Sequence, residues 1–388
     1  MADEDRPRRV LLHVGSPKTG TTFLQQVLWS NHDLARTQGV LLPGKATVDH
    51  FRASLDLTGG VVSEGTVPEP AVGQWQRLVD EAGTWDGDVL ITHELFAAAR
   101  REHAEAAVRA FGPEREVHVV VTARDLVRQV PAEWQERIKH RRTITFPEFM
   151  EDLRTRAGEA TWFWDVHDYA ALLERWGSAL PPERVHVVTV PPSGADPGLL
   201  WQRFAGLLGL DASAFDTTLA RSNRSLGAEQ VELLRRVNAA LGERLPRHGP
   251  YAVDVRDVFA QGLLASRPGA ALRLHPEDHA TVAGWSREVA DRLAGLGVAV
   301  VGDLADLVPA EAPVDAGGPT LRDSVGSDVL LDEAVEALAG LLDEHRARRQ
   351  EREALRRRLH EAETRLREHD AEPRGGLLGR VRRPGEGR

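Results

Sequence analysis

The 388-residue chain has no cysteine. That excludes disulfides, thiol nucleophiles and Cys-ligated zinc, and it fits a cytoplasmic protein. Long hydrophobic runs are missing too. None approaches the ~20 apolar residues that a membrane span requires, although 41% hydrophobic residues suffice for a full core. Met1 to Arg9 is charged and leads straight into an apolar run, so no signal peptide is expected. No metal-ligand spacing such as His-Glu-x-x-His occurs, and no metal is expected. Basic charge is in deficit. A net charge of -10 argues against nucleic-acid binding, yet it leaves room for a local basic patch around an anionic nucleotide. Lysine is almost absent: of 49 Lys plus Arg residues, only Lys18, Lys45 and Lys139 are Lys.

One of those three lysines lies in the most informative stretch of the chain. His13-Val14-Gly15-Ser16-Pro17-Lys18-Thr19-Gly20-Thr21-Thr22 follows the apolar run Val10-Leu11-Leu12 and precedes Phe23, Leu24, Val27 and Leu28 at helical spacing. This predicts a strand, a glycine-containing loop and a helix. Such a loop points backbone N–H groups and a helix N-terminus at one spot, which is an anion site. The glycines let the backbone turn and approach a phosphate. Thr21 and Thr22 add hydroxyls, and Lys18 adds a compact charge. A Walker A loop needs Lys directly after its second glycine. Here Thr21 follows Gly20, and the lysine has moved inside the loop.

Further β-branched runs recur at Val89–Thr92, Val117–Thr122, Val185–Val190 and Val298–Val301, with helical patterns between most of them. Alternation of apolar strands and helices predicts an α/β fold, a parallel sheet flanked by helices. Ligands in such sheets bind at the carboxyl ends of the strands. Lys18, His93, Glu94 and Arg124 all follow strand ends, so the topology predicts that they converge. His93 and Glu94 are alternative general bases, since neighbours in an extended segment point opposite ways. His is the easier base near neutral pH, whereas Glu needs a raised pKa or a cationic neighbour.

The Pro-Lys-Thr-Gly-Thr-Thr string resembles the 5′-phosphosulfate loop of sulfotransferases that use 3′-phosphoadenosine 5′-phosphosulfate (PAPS). Thr122-Ala123-Arg124-Asp125 resembles the second nucleotide motif of that family, in which an Arg after a strand and a Ser two helical turns later hold the 3′-phosphate. In this chain the Ser position is Ala132, which loses one hydroxyl; Arg128 or Gln129 could substitute. Thr92-His93-Glu94 resembles the segment carrying the family's base: His93 falls on the His of cytosolic members, and Glu94 on the Glu of bacterial ones, which we favour slightly. Ser222-Asn223-Arg224-Ser225-Leu226-Gly227 lies where the family has a loop closing over the nucleotide, and Arg224 is a further candidate contact for the 3′-phosphate. The resemblance spans Val10 to Leu307 and implies a P-loop NTPase-like sulfotransferase fold. It further implies PAPS as co-substrate held by Ser16, Lys18, Thr19, Gly20, Thr21, Thr22, Arg124, Arg128 and Arg224. The catalytic residues would be Lys18 with Glu94 or His93. The acceptor would be a hydroxyl on a small metabolite, a glycan or a lipid head group. The rival readings are a P-loop kinase-like phosphotransferase and a non-catalytic adaptor working through its C-terminal arm.

Residues 1–310 are expected to form the sulfotransferase domain and 311–327, rich in Pro, Gly, Asp and Ala, a linker. Residues 328–370 read as a long helix or coiled coil, and 371–388 as a disordered basic tail. Leu331, Val335, Leu338 and Leu342 fit one heptad seam, and Leu355, Leu359, Ala362 and Leu366 another. His345, Arg349 and Arg352 fall between them. The arm therefore suits a homodimer or a solvated helix. Trp162, Phe163, Trp164 and His167 are candidates for an acceptor pocket or for core. The basic run Arg137 to Arg142 reads as a solvated face or as an attractor for an anionic acceptor.

Overall fold

The computed structural model describes residues 7–60, 65–218, 225–246, 249–310 and 319–371. Six strands make one sheet in the order β2-β3-β1-β4-β5-β6, and every pairing is parallel. They are β1 (Arg9–Gly15), β2 (Val40–Leu41), β3 (Asp88–Thr92), β4 (Glu116–Ala123), β5 (Val185–Thr189) and β6 (Ala299–Val301). The apolar runs are continuous because the inner strands are covered on both faces. Leu11, Leu90, Val120 and Val188 lie on one face. There they meet Leu24, Val27 and Leu28 of the helix Thr21–Ser30, and Trp201, Phe204 and Leu208 of the helix Leu199–Leu208. Val119 and Val121 point the other way along β4, and the helix Tyr169–Trp176 packs against that strand.

Five of the six strands coincide with the apolar runs of the sequence. β2 does not, because it has only two residues between Gly39 and Pro43, too short for a periodic signal. The strand order positions the site. β1 sits between β3 and β4, so the chain leaves β1 on one side toward β2 and β3 and then crosses to β4 on the other. The carboxyl ends of β1, β3 and β4 thus border the crevice of a topological switch point.

The chain divides into two compact units, Met1–Leu330 and Leu331–Arg388. A helix, Ser327–Ala371, begins at the end of the first and makes up the described part of the second. Along it Leu331, Val335, Leu338, Leu342, Leu355, Leu359 and Leu366 are each more than half exposed. Of the segment expected as a linker, residues 311–318 lie outside the described residues, as does the expected tail from 372. The remainder of that segment is docked rather than loose: the Leu321 N–H donates to the Arg273 carbonyl at 2.8 Å. Among the described residues no helix is long and apolar enough to cross a membrane.

Candidate functional site

The loop after β1 has the conformation its glycines require. Gly15 has φ 114° and Gly20 φ 89°, values that L side chains rarely adopt. A Cβ on Gly15 would lie 3.0 Å from the Cα and the carbonyl oxygen of Glu94. Close approach of the β1 and β3 loops therefore requires glycine there. Gly20 is the N-cap of the helix Thr21–Ser30, which has neither a side-chain cap nor an acidic residue in its first turn. The first helical bond is from the Leu24 N–H to the Gly20 carbonyl, 3.1 Å, so the N–H groups of Thr21, Thr22 and Phe23 have no helical acceptor. An anion at this end would take their hydrogen bonds and meet the positive pole of the helix.

The loop is held from behind by side chains that the sequence suggested as ligands. Ser16 is fully buried; its hydroxyl donates to the Val166 carbonyl and lies 2.9 Å from His167 Nδ1. Thr19 is also fully buried, its hydroxyl 2.5 Å from the Ser16 carbonyl and 2.5 Å from Thr122 Oγ1. Gln129 donates to the Pro17 carbonyl at 2.6 Å. These three groups shape the loop, so only the backbone of Ser16 and Thr19 remains for an anion, and Gln129 does not replace the missing hydroxyl at Ala132. Behind them, His167 Nε2 lies 3.6 Å from the Glu133 carboxylate. Burial keeps the His167 ring below its ordinary pKa, against the pull of Glu133, so the ring serves as a neutral brace.

Lys18, with φ 61°, reaches Glu136, its Nζ 2.6 Å from Oε2. Lys139 Nζ lies 3.9 Å from the same oxygen, and His140 Nε2 lies 3.2 Å from Oε1. Two of the chain's three lysines thus share one carboxylate. Burial opposes ionisation of Glu136, but His140, Lys18 and Lys139 outweigh it and hold its carboxyl far below the usual range. Burial lowers Lys139 to about 8 despite Glu136, with Lys18 adding to the effect. No sequence signal marked Glu136. The basic run beside it is solvated only in its second half: Arg137 and Lys139 are buried, Arg137 lies 2.8 Å from Glu159, and His140 and Arg142 are exposed.

His93 and Glu94 follow β3 as expected, and their hydrogen bonds separate their roles. The Leu95 N–H donates to His93 Nδ1 at 3.2 Å. An acceptor at Nδ1 fixes the neutral ring with its proton on Nε2, which leaves no lone pair for a substrate proton. Burial lowers the His93 pKa, against the attraction of Glu94. The Glu94 carboxylate accepts from Gln25 Nε2 at 3.1 Å. Burial disfavours its charge, yet His93, a backbone hydrogen bond, Gln25 and His13 outweigh burial and lower its pKa. At neutral pH Glu94 is the charged acceptor and His93 the neutral neighbour. Below them the buried His13 ring is lowered to about 4 by burial; it lies 2.7 Å from Thr92 Oγ1 and 3.3 Å from Thr122 Oγ1.

Arg124, after β4, ties the loop to a cavity. Its Nη1 donates to the Lys18 carbonyl at 3.1 Å. The cavity beside it has a volume of about 1300 Å³ and is bordered by Arg124, Arg128, Arg267, Arg273 and His279. No carboxylate lines it among the described residues. Buried Arg124 Nε and Arg128 Nη2 have no hydrogen-bond partner among them either. Unpaired buried guanidinium N–H groups are costly unless a ligand completes them. Burial lowers the Arg124 pKa, and Arg128 adds to this. Ala132 faces the same cavity and offers it no polar atom. Arg224 lies outside the described residues. Arg267, Arg273 and His279 were not found from the sequence, because they belong to a segment with no motif that folds back from residues 265–279.

Of the aromatic cluster, Phe163, Trp164 and His167 are core, and Trp162 is half-buried. Phe163 is fully buried and Trp164 nearly so, and the Trp164 indole N–H donates to the Leu153 carbonyl at 3.0 Å. Among the described residues no group of three or more His, Cys, Asp or Glu is placed to hold a metal ion. Comparison with known proteins finds no matching family model, no similar curated protein and no similar solved structure.

Proposed function

We propose that this protein is a sulfotransferase of P-loop-like fold that transfers a sulfuryl group from PAPS to an acceptor hydroxyl. The observation that carries the reading is a juxtaposition. An uncapped helix N-terminus with a lysine in its loop lies beside the half-buried Glu94 on one side and, on the other, is tied through Arg124 to a cavity whose charged lining, among the described residues, is cationic. A phosphate-sulfate group suits the loop, and a nucleotide bearing a further phosphate suits the cavity.

In the proposed step the acceptor oxygen forms a bond to sulfur as the bond from sulfur to the bridging oxygen breaks. The acceptor's proton passes to Glu94, and the departing electron pair stays on the bridging oxygen of the nucleotide. Lys18 leaves Glu136 to neutralise that oxygen, and the N–H groups of Thr21 and Thr22 hold the equatorial oxygens. A phosphotransferase of the Walker type would need lysine at Thr21 and favour an acid where Arg124 stands.

The test is formation of the 3′,5′-bisphosphate product from PAPS with a panel of phenols, sugars and lipid head groups. Product that depends on acceptor and disappears in Lys18→Ala supports the reading. Undiminished turnover by Lys18→Ala would sink it.

A further inference from the structure

The helix Ser327–Ala371 runs unbroken for 45 residues and carries most of the exposed apolar surface of the chain. Its six seam leucines are 53–63% exposed, and among the described residues only Val72 and Val253 elsewhere are large apolar residues more than half exposed. Leucine gathered on one element in this way marks a contact surface rather than scatter. The two seams, 331–342 and 355–366, have the same spacing of four, three and four residues, which reads alike in either direction and is that of a coiled-coil core. Ion pairs Arg348–Glu344, Arg349–Glu353 and Arg365–Glu361 run within the helix at (i, i+4). They support the helix and leave both seams uncovered.

Charge says what covers them. Residues 330–344 hold five acids and no Lys or Arg, a net of -5, whereas residues 353–367 hold five Arg and three Glu, a net of +2. Parallel pairing of two such helices sets -5 against -5, and antiparallel pairing sets -5 against +2. We infer that the helix pairs antiparallel with the same helix of a second copy of this chain. Leu331 then lies opposite Leu366 of the second copy, Leu338 opposite Leu359 and Leu342 opposite Leu355, and a two-fold axis at the middle of the helix repeats each contact. The polar middle between the seams costs stability and fixes the register. A slip of one heptad sets Leu338 against Arg352 and Leu342 against Arg348. The inference goes beyond the nucleotide reading and does not rest on it.

The experiment is sedimentation of the full chain, joined to cross-linking. The wild type is expected to be a dimer at micromolar concentrations, and the double variant Leu338→Asp, Leu359→Asp a monomer. All nine Trp and both Tyr precede residue 331, so near-UV circular dichroism reports the first compact unit alone and should not change in that variant. Because the chain has no cysteine, introduced thiols report the pairing directly. Leu342→Cys combined with Leu355→Cys is expected to give a covalent dimer on mild oxidation. Neither single variant should, since in the antiparallel pair each position lies about 20 Å from its own copy, beyond disulfide reach. Arg357→Glu with Arg358→Glu should weaken the dimer about tenfold at low salt and less at high salt. A monomeric wild type overturns the inference, and capture of that monomer by anionic lipid vesicles would assign the seams to a membrane surface instead. Covalent dimers from both single variants overturn the antiparallel arrangement.

Discussion

At the scale of single residues, two neighbours after β3 show how hydrogen bonds assign chemistry that spacing leaves open. The pair His93-Glu94 was legible as a candidate base, but not which member. Within the proposed mechanism the Leu95 N–H on His93 Nδ1 favours Glu94, through a backbone contact invisible in the sequence. Glu94→Gln is therefore expected to lose about 10²- to 10⁴-fold in turnover with nucleotide affinity unchanged, whereas His93→Gln should lose far less. Equal losses in steady-state turnover would contradict the tautomer argument. Because the Glu94 pKa is lowered, it is ionised throughout the neutral range, and the acid limb of its pH profile should fall below the ordinary carboxylate range. The Lys18–Glu136 pair gives a second prediction. Anion binding must draw Lys18 from a carboxylate 2.6 Å away. Glu136→Gln removes that competitor and should tighten bisphosphate binding by roughly fivefold, about 1 kcal/mol for a partly exposed pair, as read by calorimetry. Weaker binding would mean that Glu136 shapes the loop instead.

At the scale of elements, the strands announced themselves and the supports behind the loop did not. β1, β3, β4 and β5 are continuous apolar runs because both sheet faces are covered. The loop was legible because a strand, two glycines and a helix stand in order. The inward turn of the Ser16 and Thr19 side chains was not legible because their partners, Val166, His167 and Thr122, lie more than 100 residues away. A hydroxyl in a phosphate-type loop looks the same whether it faces a ligand or the core. The burial of Arg137 was hidden similarly, since its partner Glu159 belongs to another element. Two buried histidines under the site make its elements acid-sensitive. His13 and His50 are each lowered to about 4, chiefly by burial. The unfolded chain takes up these protons first, near 6.5. Stability is therefore full above that value and is lost as pH falls from 6.5 toward 4, by up to about 3 kcal/mol for each ring. Urea unfolding at pH 7 and pH 4.5 should show this loss, and His50→Asn should flatten it. A slope unchanged by the variant would contradict the assignment. Phe204 packs against His13 with ring centroids 4.9 Å apart; Phe204→Ala should cost about 3–5 kcal/mol, visible as a lower melting temperature.

At the scale of the whole molecule, an acidic chain holds a cavity whose charged lining, among the described residues, is cationic. The net charge of -10 says nothing of where the arginines gather. Half of the cavity was legible, because Arg124 and Arg128 follow a strand. The other half was not, because Arg267 and Arg273 reach it through a connection with no periodicity or motif, and only the closed fold sets the walls face to face. The turn at Thr320–Arg322 was similarly hidden in a segment that composition marks as linker. The central claim is that loop and cavity together take a 3′,5′-bisphosphate nucleotide. Its most direct test is calorimetric titration with adenosine 3′,5′-bisphosphate beside ATP with Mg²⁺. The account predicts micromolar binding of the bisphosphate and none of ATP with Mg²⁺. Binding of ATP with Mg²⁺ alone would contradict it and make the loop a phosphotransferase site, and binding of neither would leave the chain without a nucleotide function.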